Sequence, residues 1–456
     1  MTRLNIAVVG SGISGLSAAW LLSKKHQVTL FEADERIGGH SNTVTIDVDG
    51  KRVDVDTGFI CYNEATYPNL IALFDHLGVR SHDTSMSFSA SMGGGSYEYS
   101  GGTWLGLGAQ PLNMLRPSHW RMMRDIVRFF REAGLNIEAI GEDETIGAWL
   151  ERHNYGDEFR HRHLIPMAAA IWSSSTGDMM AYPARAFLRF FQNHGLIQLN
   201  QRPKWRSVLG GSKVYVERLI ETGNFETVIN HPVTRIVRDT DGVTLFGRDG
   251  MPKRFDHVVI ASHADQALAM LDQPDAEEAE LLGAFSYSKN HAVLHRDPRY
   301  MPKRKLAWAS WNYIDWGTSP LQANHRATQD DLCLTYWMNS LQNLATDEDI
   351  FVTLNPPADA AIENAAASFN YTHPIFDTSA LAAQSKLWSL QGNRNTWYCG
   401  AHFGAGFHED GLQSGLAVAE QLGQVRRPWN VANESYRITL GDAQAASWQA
   451  AAIAAE

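Results

Sequence analysis

Three glycines and one carboxylate carry the first chemical signal in this chain. Gly10, Gly12 and Gly15 form a GxGxxG turn directly after the apolar run Ile6–Val9, and Glu32 closes a second apolar run, Val28–Phe31, 17 residues beyond Gly15. Between the runs, Leu16, Ala19, Trp20 and Leu22 recur at helical spacing. The order is strand, glycine turn, helix, strand, acid. Each part has a physical task. The first glycine makes the tight turn, the second admits a pyrophosphate to the backbone, and the third lets helix and strand pack closely. The helix N-terminus offers partial positive charge to phosphate, and the acid accepts hydrogen bonds from a ribose diol. The pattern predicts a dinucleotide site in a Rossmann-type α/β domain, with Ser14 and Ala33 beside the glycines and the acid.

The next residues narrow the ligand. Arg36, Gly38, Gly39 and His40 resemble the RxGG extension of FAD-binding flavoproteins, with His40 where family versions often carry arginine. Four further segments follow in order. Asp56-Thr57-Gly58-Phe59-Ile60 looks like the D-x-G strand leading to the flavin. Gly210-Gly211-Ser212 precedes a helical pattern. Val233 lies in a strand like the one whose backbone meets adenine, and Phe255–Ala261 resembles the strand that follows. Near the end, Gly400, Ala401 and His402 lead to Asp410, Gly411 and Leu412, similar to the C-terminal flavin motif. The chain thus resembles the flavin-containing amine oxidase superfamily. That resemblance implies FAD as cofactor, held by the residues just named. It also implies an amine-oxidase-like fold (glutathione-reductase type), in which the FAD domain interleaves with an α+β substrate domain. His402 stands where the family usually has an acid. Either Glu409 or Asp410 compensates, or His402 faces the substrate. The strings around Trp172 and Gly400 are closer still to bacterial proteins encoded beside cyclopropane-fatty-acid-synthase-like methyltransferases. This implies lipid acyl-chain chemistry and a lipid methyltransferase as partner.

Candidates for moving a proton are His402, His295 and Tyr62, with Asn63 beside the last. Flavin chemistry leaves the difficult electronic step to the cofactor and positioning to the protein. Lys289, Lys303 and Lys305 match no motif of the kind that places a lysine beside the flavin. The aromatic residues Trp172, Trp308, Trp311, Tyr336 and Trp337 read either as sheet core or as the wall of an apolar substrate cavity. No metal is expected, since His161 and His163, two apart, fall on different faces of a helix. No second nucleotide motif is found, so oxygen, a quinone or another carrier would reoxidise the flavin, or the flavin would end its cycle unchanged.

Positioning these groups requires a discontinuous FAD domain: residues 1–75, 205–285 and 386–425. Insertions at 76–204 and 286–385 build the substrate domain, the first helical with glycine-rich breaks and the second rich in strands. A tail, 426–456, carries an alanine-rich helix candidate at 442–455. Residues 111–132 stand apart, with five arginines against two carboxylates and interleaved apolar residues. They read either as a surface helix with one buried face or as a peripheral contact with an anionic membrane.

Composition sets the outer limits. The chain has 456 residues, 44% hydrophobic and 20% charged, with a net charge of −11. That is globular composition, and the acidic balance argues against nucleic acid as partner. Three cysteines without CxxC spacing argue against a disulfide or zinc scaffold and suit a reducing cytoplasm. The expectation is an FAD-dependent oxidoreductase that desaturates, oxidises or isomerises a fatty acyl chain, in the cytoplasm or peripherally on the inner membrane face. A peroxide-forming amine oxidase and a non-catalytic FAD-binding partner protein are the alternatives.

Overall fold

The computed structural model describes residues 2–102, 104–197, 203–317, 332–357, 360 and 362–441. The alanine-rich stretch 442–455 lies outside the described residues.

Strand β1 (Asn5–Val9) and strand β2 (Gln27–Phe31) lie at the centre of a five-stranded parallel sheet. Its order is Glu226–Val228, β2, β1, His257–Ile260, Thr396–Tyr398. Continuous apolar runs suit such strands because both faces of a parallel sheet are covered. Three helices matter for the site: α1 (Ile13–Leu22), α2 (Pro117–Glu132) and α3 (His408–Gly423). All ten residues of α1 are buried. One reason is α3, which packs against it where Gly411 and Gly415 leave room. A Cβ on Gly411 would lie 2.8 Å from Ser14 Oγ, and one on Gly415 would collide with the Ser14 carbonyl oxygen.

A second, seven-stranded sheet draws on both insertions. Its order is Ala367–Ile375, Ser286–His295, Phe351–Leu354, Leu334–Trp337, Trp311–Ile314, Phe88–Met92, Tyr97–Ser100. All neighbours are antiparallel except Trp311–Ile314 with Phe88–Met92. The first insertion therefore does not start as helix, as its reading from sequence expected. Residues 88–100 form a hairpin, turned by Gly93, Gly94 and Gly95 with φ of +56°, +61° and +87°. The glycines read as helix breaks are the turn itself, and period-two FSASM supplies its strand. Helices follow from residue 104 to Asn193.

The segment after α3 returns onto the molecule. Arg427 is buried and pairs with Glu420 (Nε–Oε1, 2.8 Å), while its Nη1 donates to Asn69 Oδ1 at 2.9 Å. Arg437 pairs with Asp410 at 2.5 Å, both almost wholly buried. Glu409 accepts from the backbone N–H groups of Asn69 (3.0 Å) and Leu70 (2.9 Å). Asp56 fastens another seam, accepting from Thr43 Oγ1 (2.5 Å), Ser212 N (2.9 Å) and Gln342 Nε2 (2.8 Å). Among the described residues, no helix is long and apolar enough to cross a membrane.

Two stability predictions follow from these buried charges. Arg437→Leu strands a buried carboxylate and should cost about 3–5 kcal/mol in denaturant unfolding. Burial raises the Asp56 carboxyl to about 6 despite its donors. Its folded pKa thus exceeds the unfolded value of roughly 3.9. The stability it contributes is complete below about pH 4 and is lost as pH rises through about 6. Asp56→Asn, which cannot ionise, should flatten the stability curve between these values, as measured by unfolding across pH.

Candidate active site

One cavity of about 1670 Å³ runs through the molecule. That exceeds the roughly 300–1,000 Å³ of a site for one drug-sized ligand. One end lies at the carboxyl ends of the parallel strands, where Val9, Gly10, Gly12, Phe31, Glu32 and Ala261 line it. This is where α/β sheets place ligands. The middle is bounded by Phe59, Tyr371, His373, Gly400, His402 and His408, and beyond them by Trp172, Trp311 and Tyr336. The far end is walled by Leu107, Met114 and the Trp120, Met123, Val127 and Phe130 stripe of α2.

At the first end, each glycine has a different physical reason. Gly10 holds φ +101° against Ala261, where a Cβ would lie 2.9 Å from a carbonyl oxygen. A Cβ on Gly15 would be driven into the Gly10 carbonyl oxygen. Gly12 has ordinary backbone angles, and a Cβ there would meet nothing within 4 Å. Its missing side chain is therefore not required by the protein and keeps open space at the start of α1. The Glu32 carboxylate accepts from Ser11 N at 2.9 Å, from Ser11 Oγ, and from Asp34 N at 3.0 Å. Arg36 donates to the carbonyls of Ser41 (3.0 Å) and Gly39 (2.6 Å), bracing the next turn. Gly38, at φ +123°, donates its N–H to Ser11 Oγ at 3.1 Å. The His40 Nε2 atom is buried with no partner among the described residues.

The middle of the cavity is rich in neutral imidazoles. Burial pushes His402 and His408 down to about 3 and His373 to about 4, with His263 adding to the effect on His402 and His373. His40 lies well below its ordinary value, from burial first and His373 next. His408 stacks on Phe59 at 3.7 Å and 8° and meets Ser41 Oγ (3.0 Å) and Tyr215 OH (2.9 Å). Burial likewise raises Tyr336 and Tyr371. Trp311 stands edge-on to its direct cross-strand partner Tyr336 at 4.9 Å and 88°. The indole N–H groups of Trp172 and Trp311 are buried without an acceptor among the described residues. Among the described residues, the only carboxylates lining the cavity are Glu32 and Asp34, both at the first end, and no lysine lines it.

Comparison with known proteins places this geometry. The family model described as flavin containing amine oxidoreductase matches residues 13–295. The chain belongs to this family. FAD is accordingly its cofactor. A stretch of 51 residues, 11% of the chain, is 51% identical to L-amino-acid oxidase of Pseudechis australis and covers 10% of that protein. The chain thus spans about a tenth of the length of such curated relatives. In fold it is similar to putrescine oxidase bound to putrescine, with TM-score 0.64, 16% identity, and coverage of 92% of this chain and 99% of that one. It is also similar to a CLA-producing fatty acid isomerase from P. acnes, with TM-score 0.62, 16% identity, and coverage of 92% and 98%.

The residues present fit FAD. The open space at Gly12, the carboxylate of Glu32 and the unpartnered Nε2 of His40 together offer backbone, a ribose acceptor and a phosphate-side donor. Of the residues expected to hold FAD, the cavity is lined by Gly10, Gly12, Ser14, Glu32, Ala33, Arg36, Gly39, His40, Thr57, Gly58, Phe59, Ile60, Val233, Ala261 and Gly400. Gly15 and Gly38 sit behind it as turn and packing residues. Asp410, Gly411 and Leu412 do not line it. Asp410 instead caps α3 by accepting from Phe407 N at 2.7 Å, Gly411 packs on α1, and Leu412 is core.

Among the chemical candidates, His402, Trp172, Trp311 and Tyr336 line the cavity, whereas His295, Tyr62, Asn63, Trp308 and Trp337 do not. His295 is closed on itself: Nε2 meets Thr353 Oγ1 at 2.7 Å and Nδ1 accepts from Asp297 N at 3.0 Å. Tyr62 packs edge-on to Phe74 at 5.4 Å, and Asn63 caps a turn by accepting from Ala65 N and Thr66 N. Trp337 follows Tyr336 on one strand, so it points to the opposite face and packs on Trp308 at 5.4 Å. That alternation was a usable signal, since only one of the two could face the cavity. His408, Phe59's partner, carried no local signal. Among the described residues no group of three or more His, Cys, Asp or Glu could hold a metal.

The two glycine roles separate experimentally. Gly12→Val should leave the apoprotein folded, with stability within about 0.5 kcal/mol of wild type, yet abolish FAD retention on a desalting column. Gly15→Ala should instead lower the stability of the apoprotein itself.

Proposed function

We propose that the protein is an FAD-dependent oxidoreductase acting by hydride transfer on an unsaturated or branched fatty acyl chain of a membrane lipid. It would desaturate, oxidise or isomerise that chain. The observation that carries this reading is the cavity's continuity and chemistry. It leads from the FAD end through aromatic and aliphatic walls to the apolar stripe of α2, and among the described residues its only lining carboxylates lie at the ribose end. A long apolar chain matches such a channel. A cation would meet no anionic group of the described residues beyond the cofactor end.

Bound FAD supplies the hydride acceptor. The chain's own groups do the rest. The cavity walls exclude water and align the acyl chain by its shape. The free N–H groups of Trp172 and Trp311 suit a carbonyl or carboxyl oxygen, because a buried donor left unpaired is costly. His402 is neutral at pH 7 and offers a hydrogen bond. Burial holds its pKa well below the ordinary histidine value.

Amine oxidation is the second reading. It is favoured by the Trp311–Tyr336 pair, whose edge-on arrangement could wall an amine nitrogen. Anaerobic mixing of the FAD-loaded protein with detergent-dispersed unsaturated phospholipid separates the two. Bleaching of the flavin, or an altered double bond by mass spectrometry, is expected. Peroxide release with simple amines in a parallel aerobic assay, and no change in any lipid, would replace the acyl reading with the amine one. Met167 also lines the cavity, and Met167→Trp, which adds bulk there, should lower kcat/KM for long acyl chains about tenfold or more and spare short substrates.

A further inference from the structure

Helix α2 presents three distinct faces. His119, Met122, Asp125 and Phe129 are buried in the protein. The stripe Trp120, Met123, Val127 and Phe130, spaced three or four apart, lines the cavity at its far end. Trp120 is nevertheless 52% exposed and Val127 38% exposed, so this stripe borders solvent. The next face carries Arg121, Arg124, Arg128 and Arg131.

The surroundings extend this pattern. Of the twelve large apolar side chains exposed among the described residues, seven fall within residues 105–135: Leu105, Leu112, Met114, Leu115, Trp120, Val127 and Leu135. Leu115 is 80% exposed. Charge is concentrated in the same place. Residues 111–132 hold five arginines against two carboxylates in a chain whose net charge is −11. Some of that charge is spoken for: Arg121 pairs with Glu158, Arg124 with Asp125 and Arg128 with Glu132. Arg124 remains 68% exposed despite its pair, and Arg131 makes no ion pair among the described residues.

We propose that this surface docks on an anionic lipid bilayer, with Leu112, Leu115 and Trp120 entering the headgroup–acyl boundary and the arginines meeting lipid phosphates. Both halves are needed. Apolar side chains supply buried area, and each arginine near an anionic surface adds attraction of its own. A second copy of the chain is disfavoured as occupant, since a basic face does not complement itself. An acidic protein would answer the arginines but not the row of leucines. Docked in this way, the protein presents the mouth of its cavity to the bilayer. An acyl chain then passes along the α2 stripe without crossing water. The surface serves the acyl-chain reading above and would supply its substrate.

The test uses the FAD-loaded full chain and vesicles of dimyristoyl phosphatidylcholine, with or without dimyristoyl phosphatidylglycerol. These saturated lipids offer no double bond to convert, so binding is read apart from chemistry. Co-sedimentation is expected only with the anionic vesicles and should weaken as salt shortens the Debye length. Leu112→Glu with Leu115→Glu should abolish it. Arg124→Glu with Arg131→Glu should lower partitioning about tenfold or more. Both pairs should retain FAD and turn over detergent-dispersed substrate as wild type does. Absence of binding to anionic vesicles, binding indifferent to phosphatidylglycerol, or wild-type binding by the variants would overturn the docking surface. Binding to the anionic vesicles, together with no change in detergent-dispersed unsaturated phospholipid, would leave it standing and remove the acyl-chain reading instead.

Discussion

The close approach of two helices almost 400 residues apart in sequence governs the cofactor end of this molecule. α1 and α3 meet where Gly411 and Gly415 lie against Ser14, while Gly10 and Gly15 hold the turn at the start of α1. No side chain larger than hydrogen fits at these points. Everything on the cavity's floor depends on that contact. It sets the position of the α1 N-terminus, the distance from Glu32 to the strand ends, and the entry of residues 400–408 into the wall. α1 is buried along its whole length between α3 and the parallel sheet.

In its middle, the cavity built on this floor keeps His40, His373, His402 and His408 neutral. Burial pushes imidazoles down and phenols up, and the same dry environment strengthens the few hydrogen bonds that remain. Charge is confined to the edges: Glu32 and Arg36 at the cofactor end, the arginines of α2 at the other.

What was legible in the sequence was what short spacing dictates. The glycine turn, Glu32, the RIGG turn and the D-x-G strand are contiguous motifs, and each part's task is local. The failures have a common physical origin as well. Asp410 reads as a cofactor ligand from its place in a motif, yet its partners, Phe407 N and Arg437, make it a helix cap joined to a returning tail. His295 and Tyr62 read as reactive because their types are, while packing turns them into closed structural contacts. The hairpin at 88–100 reads from sequence as broken helix because its strand partner, Trp311–Ile314, lies more than 200 residues away. His408 reaches the cavity through stacking on Phe59, a contact between distant segments that no local pattern encodes.

The returning tail has a consequence for how the molecule comes into being. The central sheet takes its edge strand from residues 396–398, and Arg437 secures the start of α3. Neither can form until the residues concerned have left the ribosome, long after the glycine turn at residues 10–15. That turn waits meanwhile without the strand and helices that hold it. Contacts of such long sequence separation are slow to form, and unpaired strand edges invite mispairing meanwhile. Cofactor capture is thus a late step in biogenesis, and a supply of free FAD at that moment bears on the yield of folded protein as well as on its activity.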